Sequence, residues 1–114
     1  MSMVRPVFAT AFALALYTTA PLMAAGQDVK RGAAVYAAQK CSVCHSIAGK
    51  GGKSSALDGI GAKMSADDIR KWITTPVEMT AKASSTKKPP MPAKWASLPA
   101  ADLDALVAYI ASLK

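Results

Sequence analysis

Cys41-Ser42-Val43-Cys44-His45 is the stretch that decides how this 114-residue chain folds. The pattern C-x-x-C-H is an attachment site for a c-type haem. Two thiols add across the two haem vinyl groups and leave thioether bonds. Three residues of separation set Cys41 and Cys44 on one side of a helical turn. His45 follows at once, so its imidazole is available to the iron as proximal ligand. A thioredoxin-like redox pair would follow a strand in a βαβ setting, and the sequence around Cys41 has no such pattern. A zinc site wants about four N/S ligands, and the chain has two cysteines and one histidine. One covalent haem c is therefore expected, with neither a disulfide nor a free thiol.

Upstream, residues 1–25 read as a secretory signal peptide. Arg5 is their only charge, Val7 to Leu16 is almost wholly apolar, and Pro21 precedes the small residues Ala24-Ala25-Gly26. Cleavage after Ala24 and after Ala25 are both open. The alternative is an uncleaved membrane anchor. The apolar run falls short of the ~20 residues needed to span a bilayer, and Thr18, Thr19 and Pro21 interrupt it. Cleavage leaves residues 26–114 as one exported domain, periplasmic in a bacterium. In such a compartment two cysteines usually pair with each other. Here they are the haem's thiols. A domain of this size has little core of its own, so the haem is expected to supply much of the missing apolar bulk.

The chain carries 14 Lys plus Arg against 7 Asp plus Glu, net +7, and losing Arg5 lowers the excess by one to +6. There is no arginine cluster and no basic helix, which argues against nucleic acid as a partner. Most of the lysines serve as solvated surface. An acidic protein partner, met by electrostatic steering, is the better use of the remainder.

The pattern predicts helices and no strands. Asp28 to Lys40 forms a first helix, capped or charged at its start by Asp28. Val29, Gly32, Ala33, Tyr36 and Ala37 share one face of it. Glycine inside a helix costs about 1 kcal/mol against alanine, and Gly32 is best explained by the close approach of another helix. Residues 47–61 are a loop rich in Gly, Ser and Lys, where Leu57 and Ile60 are the sizeable apolar residues expected to touch the haem. Ser65-Ala66-Asp67-Asp68 opens a helix whose stripe is Ile69, Trp72 and Ile73, and Thr74-Thr75-Pro76 ends it. Trp72 is first a core residue, with an indole N–H able to reach a haem propionate. Val77 to Lys88 is a polar, basic run. Prolines then hold Met91 stiffly within Pro89-Pro90-Met91-Pro92, which suits a weakly bound thioether ligand. Met64 and Met79 are the rival sixth ligands. Pro99 and Asp102 open the last helix, with Leu103, Leu106, Val107, Ile110 and Leu113 as its stripe and Tyr109 beside it.

With its motifs in this order, the chain after the leader resembles a small bacterial class I cytochrome c. Gly32 and Tyr36 look like that family's glycine and aromatic on the first helix, and Leu106 and Tyr109 like their partners on the last. Pro90-Met91-Pro92 looks like the methionine ligand loop. Ser54-Ser55-Ala56-Leu57-Asp58-Gly59 resembles Gly-Pro-x-Leu-x-Gly, with Ser55 where the family has the proline whose carbonyl accepts from the proximal histidine. The resemblance implies an all-α cytochrome c fold, its N- and C-terminal helices crossing beside the haem, with one or two central helices and long loops.

The resemblance also implies a one-electron carrier, not an enzyme. His45 and Met91 fill both axial positions of the iron, leaving no site for a small-molecule substrate. The expected partners are periplasmic or membrane redox proteins with acidic docking surfaces, met by a monomer. A second reading is a haem c subunit of a larger periplasmic oxidoreductase complex. A third, an open-site haem enzyme or sensor, requires a mobile Met91 segment.

Overall fold

The computed structural model describes Met3 and residues 20–114. Apart from Met3 and the helical backbone of 20–25, the expected leader lies outside the described residues. Among the described residues no helix is long and apolar enough to cross a membrane.

Helix α1 runs Ala20–Ala38, eight residues earlier than the predicted start at Asp28. Ala20, Leu22, Met23, Ala24 and Ala25 are strong helix formers, and Pro21 lies in the first turn, where its missing N–H is tolerated. Asp28 is thus an interior residue of α1 rather than its cap. The helix ends where Lys40 turns left-handed, at φ 56° and ψ 37°. Its buried face is Gly32, Val35 and Tyr36, with Val29 and Ala33 half-buried beside them; the predicted Ala37 is exposed. Val35 takes the place assigned to Ala37.

At the other end of the chain α5, Ala100–Ala111, buries Ala105, Leu106, Val107 and Ile110 and packs along α1. The crossing is very close. A Cβ at Gly32 would lie 2.5 Å from the Tyr109 Cβ and 2.7 Å from the Ala105 carbonyl carbon, with the Ala105 oxygen nearer still. Only a residue without a side chain fits there. Tyr36 and Tyr109 meet edge to face at 5.6 Å just beyond the crossing, an arrangement favoured by the ring quadrupoles. Arg31 pairs with Asp102 at 2.8 Å across the same two helices, and Arg70 with Asp104 at 2.6 Å from the next one.

Three short helices lie between. α2 is Ile60–Lys63 and α3 is Ala66–Thr74. Ser65 caps α3 as its sequence predicts, its Oγ accepting from the Asp68 N–H at 3.1 Å. α3 buries Ile69 and Ile73 against α5 and ends at the predicted threonines. The run after it, read from the sequence only as polar and basic, begins with a helix: Pro76–Lys82 forms α4. Pro76 is pre-set for the first helical position and fully buried, and Glu78 pairs with Lys82 one turn on at 2.9 Å.

The absence of strands is also corrected. β1 (His45–Ile47) pairs antiparallel with β2 (Lys50–Gly51) and parallel with β3 (Ser55–Ala56). Strands of two or three residues carry no readable alternation. The turn between β1 and β2 has positive φ at both central residues, Ala48 at 52° and Gly49 at 77°, the mirror-image turn that matches strand twist. Asp58 Oδ1 accepts from the Ala48 N–H at 2.7 Å and holds that turn in place. The fold remains mostly helical, with this small sheet added.

Candidate functional site

The haem motif is a tight 3-10 turn. From left-handed Lys40 the chain folds over Cys41–Val43, with the Val43 N–H on the Lys40 carbonyl at 3.1 Å and the Cys44 N–H on Cys41 at 3.3 Å. Both cysteines are half-buried and form no disulfide with each other. Burial pushes the Cys41 thiol up from its ordinary pKa. His45 then opens β1. Pairing of β1 with β3 brings His45 opposite Ser55, and His45 Nδ1 lies 3.1 Å from the Ser55 carbonyl oxygen. A carbonyl only accepts, so Nδ1 carries the proton and the Nε2 lone pair is left for a metal. Burial lowers the His45 pKa, partly opposed by the Ser55 carbonyl, and this favours the neutral imidazole that a ligand must be. Ser55 therefore makes the carbonyl contact without a proline ring. The Tyr36 hydroxyl donates to the His45 carbonyl at 3.4 Å and ties α1 to the motif. Burial, then the nearby Cys41, raises the Tyr36 pKa and keeps the phenol protonated.

These residues open onto a cavity of 1180 Å³. Usual small-molecule sites occupy roughly 300–1,000 Å³. Cys41, Cys44, His45, Leu57, Ile60, Trp72 and Met91, all singled out from the sequence, line it together. Leu57 is buried among the core residues, and Ile60 packs against that core. Met91 is half-buried, and Pro92 after it is extended, at φ −76° and ψ 156°. Of the rival methionines, Met64 shares this cavity. Met79 does not: it lies on a smaller neighbouring cleft with Trp72 and Lys82.

Sequence reasoning missed one polar residue of the cavity. Trp95 Nε1 is buried and is the one buried side-chain N or O without a hydrogen-bond partner among the described residues. Trp72, expected first as a core residue whose indole N–H is able to reach a propionate, lines the same cavity, and the unpartnered buried indole is that of Trp95. The sequence carries no signal that finds it, since whether a buried indole N–H keeps a partner is decided only by what surrounds it once the chain is folded. Lys40, Lys87 and Lys94 also line the cavity, and among the described residues no Asp or Glu does. The occupant that fits is therefore mostly apolar and carries its own acceptors and negative charge. A haem with two propionates meets both conditions, and two thiols, an imidazole and a thioether meet the needs of its vinyl groups and iron.

A protein-family model described as cytochrome c matches residues 29–114. No curated protein and no solved structure matches the chain.

Proposed function

We propose, for a chain that belongs to the cytochrome c family, a soluble one-electron carrier whose iron is held between His45 and Met91. Family membership itself gives haem-based electron transfer with a covalently bound haem c; the ligand pair, the partners and the cellular site are the finer claims. Cys41 and Cys44 form the thioether bonds. The single observation that carries the ligand pair is the convergence of His45 and Met91 on one cavity, with Nδ1 of His45 already committed to Ser55.

Bound there, a haem supplies an iron that gains or loses one electron. The protein's part is to keep everything else unchanged. His45 stays neutral and fixed in orientation by Ser55. Met91 sits on a proline-stiffened segment, so its thioether stays available in both redox states and favours ferrous iron. With a protein ligand on each side, no position is left for a substrate, which supports transfer over catalysis.

The leader over residues 1–25 supports export to a periplasm, where haem attachment and the redox partners would both be found. Exposed Lys50, Lys53, Lys88 and Lys94, the last of them on the cavity lining itself, support docking by an acidic redox protein. The test is direct. The purified protein should keep its haem through acid–acetone extraction and titrate with the slope of a single one-electron couple. Extracted haem would remove the covalent attachment. Rapid binding of oxygen by the reduced protein would replace the carrier with an open-site haem protein.

A further inference from the structure

The Met91 segment is stiffened by its prolines, and Met91 packs against the core, but few hydrogen bonds tie the segment to the rest of the chain. From Thr86 to Met91 no backbone group takes part in a backbone–backbone hydrogen bond, and Pro89 and Pro90 have no N–H to give. The Lys87 N–H reaches only its neighbour Ser85, at 3.4 Å. One hydrogen bond joins the segment to a distant part of the chain: Lys87 Nζ donates to the Ser54 carbonyl at 2.9 Å, 33 residues away. Lys87 is in no ion pair among the described residues, so its ammonium is committed to that carbonyl.

The far end of this bond is as telling. Ser54 directly precedes Ser55, whose carbonyl orients His45. β3 is two residues long and joins that loop to β1 through the Ser55 N–H on the Cys44 carbonyl at 3.3 Å and the Leu57 N–H on the Ser46 carbonyl at 2.8 Å, so the Ser54 side has the longer bond. Serine at position 55 leaves its φ free where a proline ring would lock it. Both Ser54 and Lys87 line the cavity, so the contact crosses its mouth.

We propose that Lys87 is a positioning residue that latches the Met91 segment to the loop orienting His45, so that the two sides of the haem cavity hold each other in place. This rests on the assignment of Met91 as sixth ligand. An ammonium donating to a carbonyl is a charge-assisted bond, stronger than a neutral one. Solvent at this exposed site reduces its worth, to an effect of roughly threefold to tenfold on an opening equilibrium.

The latch acts on two sides at once, and the test reads both. Cyanide binds the oxidised holoprotein only when the native sixth ligand leaves, so its limiting rate reports the Met91 side. The paramagnetically shifted proton resonances of the His45 ring report the other side. Lys87→Met, which keeps the apolar stem, should raise the cyanide rate roughly threefold to tenfold and shift the His45 ring signals. Lys87→Arg should restore both, and Lys88→Met should change neither. An unchanged rate in Lys87→Met overturns the latch. So does a faster rate with unmoved His45 signals, which would mean that Lys87 stiffens only its own segment. A near-infrared sulfur-to-iron band in the unsubstituted protein separates the two claims. Its absence would remove Met ligation itself, and the latch with it.

Discussion

Replacing Gly32 by alanine adds one methyl group at the tightest point of the fold. That methyl carbon would sit 2.5 Å from the Tyr109 Cβ and 2.7 Å from the Ala105 carbonyl carbon, where ordinary contact begins at 3.4 Å. The obstacle is largely α5 backbone, so no change of rotamer relieves it. The Ala105 carbonyl oxygen is nearer still, so the helices must part by more than an ångström, which loosens Val35 and Tyr36 against Leu106 and Ile110. Overpacking of this kind costs about 1–3 kcal/mol. Alanine returns up to about 1 kcal/mol over glycine through helix propensity. Against unyielding backbone the cost lies in the upper part of that range, about 2–3 kcal/mol, so the net is a loss of about 1–2 kcal/mol, and at about 4–8 °C per kcal/mol for a domain of this size Tm should fall by roughly 5–15 °C. The assay is thermal unfolding of the oxidised holoprotein followed by far-ultraviolet circular dichroism, with the haem absorption recorded beside it. The haem bands should stay as they are, because no candidate ligand is touched. Gly26→Ala in the same helix is the control, since a Cβ there meets nothing within 4 Å. It should leave Tm unchanged or slightly higher. Equal stability of Gly32→Ala and the unsubstituted protein would refute the close crossing.

Ser65→Ala removes the cap of α3 and should cost about 1 kcal/mol, read in the same melts; no change would mean that solvent serves the Asp68 N–H equally well. Lys50→Glu together with Lys53→Glu should slow electron exchange with an acidic partner and weaken its salt dependence, since exposed charges are screened within about 8–10 Å at physiological ionic strength. The same reversal at Lys30 and Lys114 should matter less, and equal effects from both pairs would mean that the charge serves solubility alone. Lys87 is left out of that comparison, because its reversal would also break the contact with Ser54.

What the sequence made legible was chemistry with a fixed spacing or a strong periodicity. The C-x-x-C-H motif, the cap at Ser65, the α5 stripe and the glycine at the helix crossing each follow from a local rule. The proline-flanked Met91 was legible for the same reason, and it does line the cavity with His45. What stayed hidden depends on contacts far apart in the chain. Gly61 is a second such glycine, its N–H on the Leu113 carbonyl at 2.8 Å, but it lies in a loop-like run where glycine needs no explanation. α4 was missed because it is only seven residues long and its apolar Val77, Met79 and Ala81 alternate rather than follow a helical period, while the buried Pro76 and the Glu78–Lys82 pair hold it. The β1–β2 pairing is set by the turn at Ala48 and Gly49, and Asp58, just after β3, ties that strand's end to the same turn; alternation sets neither. The early start of α1 reflects helix-forming residues in a stretch assigned to the leader. Trp95 and Trp72 differ only in what surrounds them once the chain is folded.

The near-infrared spectrum of the oxidised holoprotein, taken before and after Met91→Ala, tests the His45–Met91 pair most directly. The unsubstituted protein should show the weak sulfur-to-iron band. Met91→Ala should abolish it and lower the reduction potential by on the order of a few hundred millivolts, while Met64→Ala should leave the band in place. A band that survives Met91→Ala and disappears with Met64→Ala would move the sixth ligand to the other methionine of the cavity and contradict the assignment.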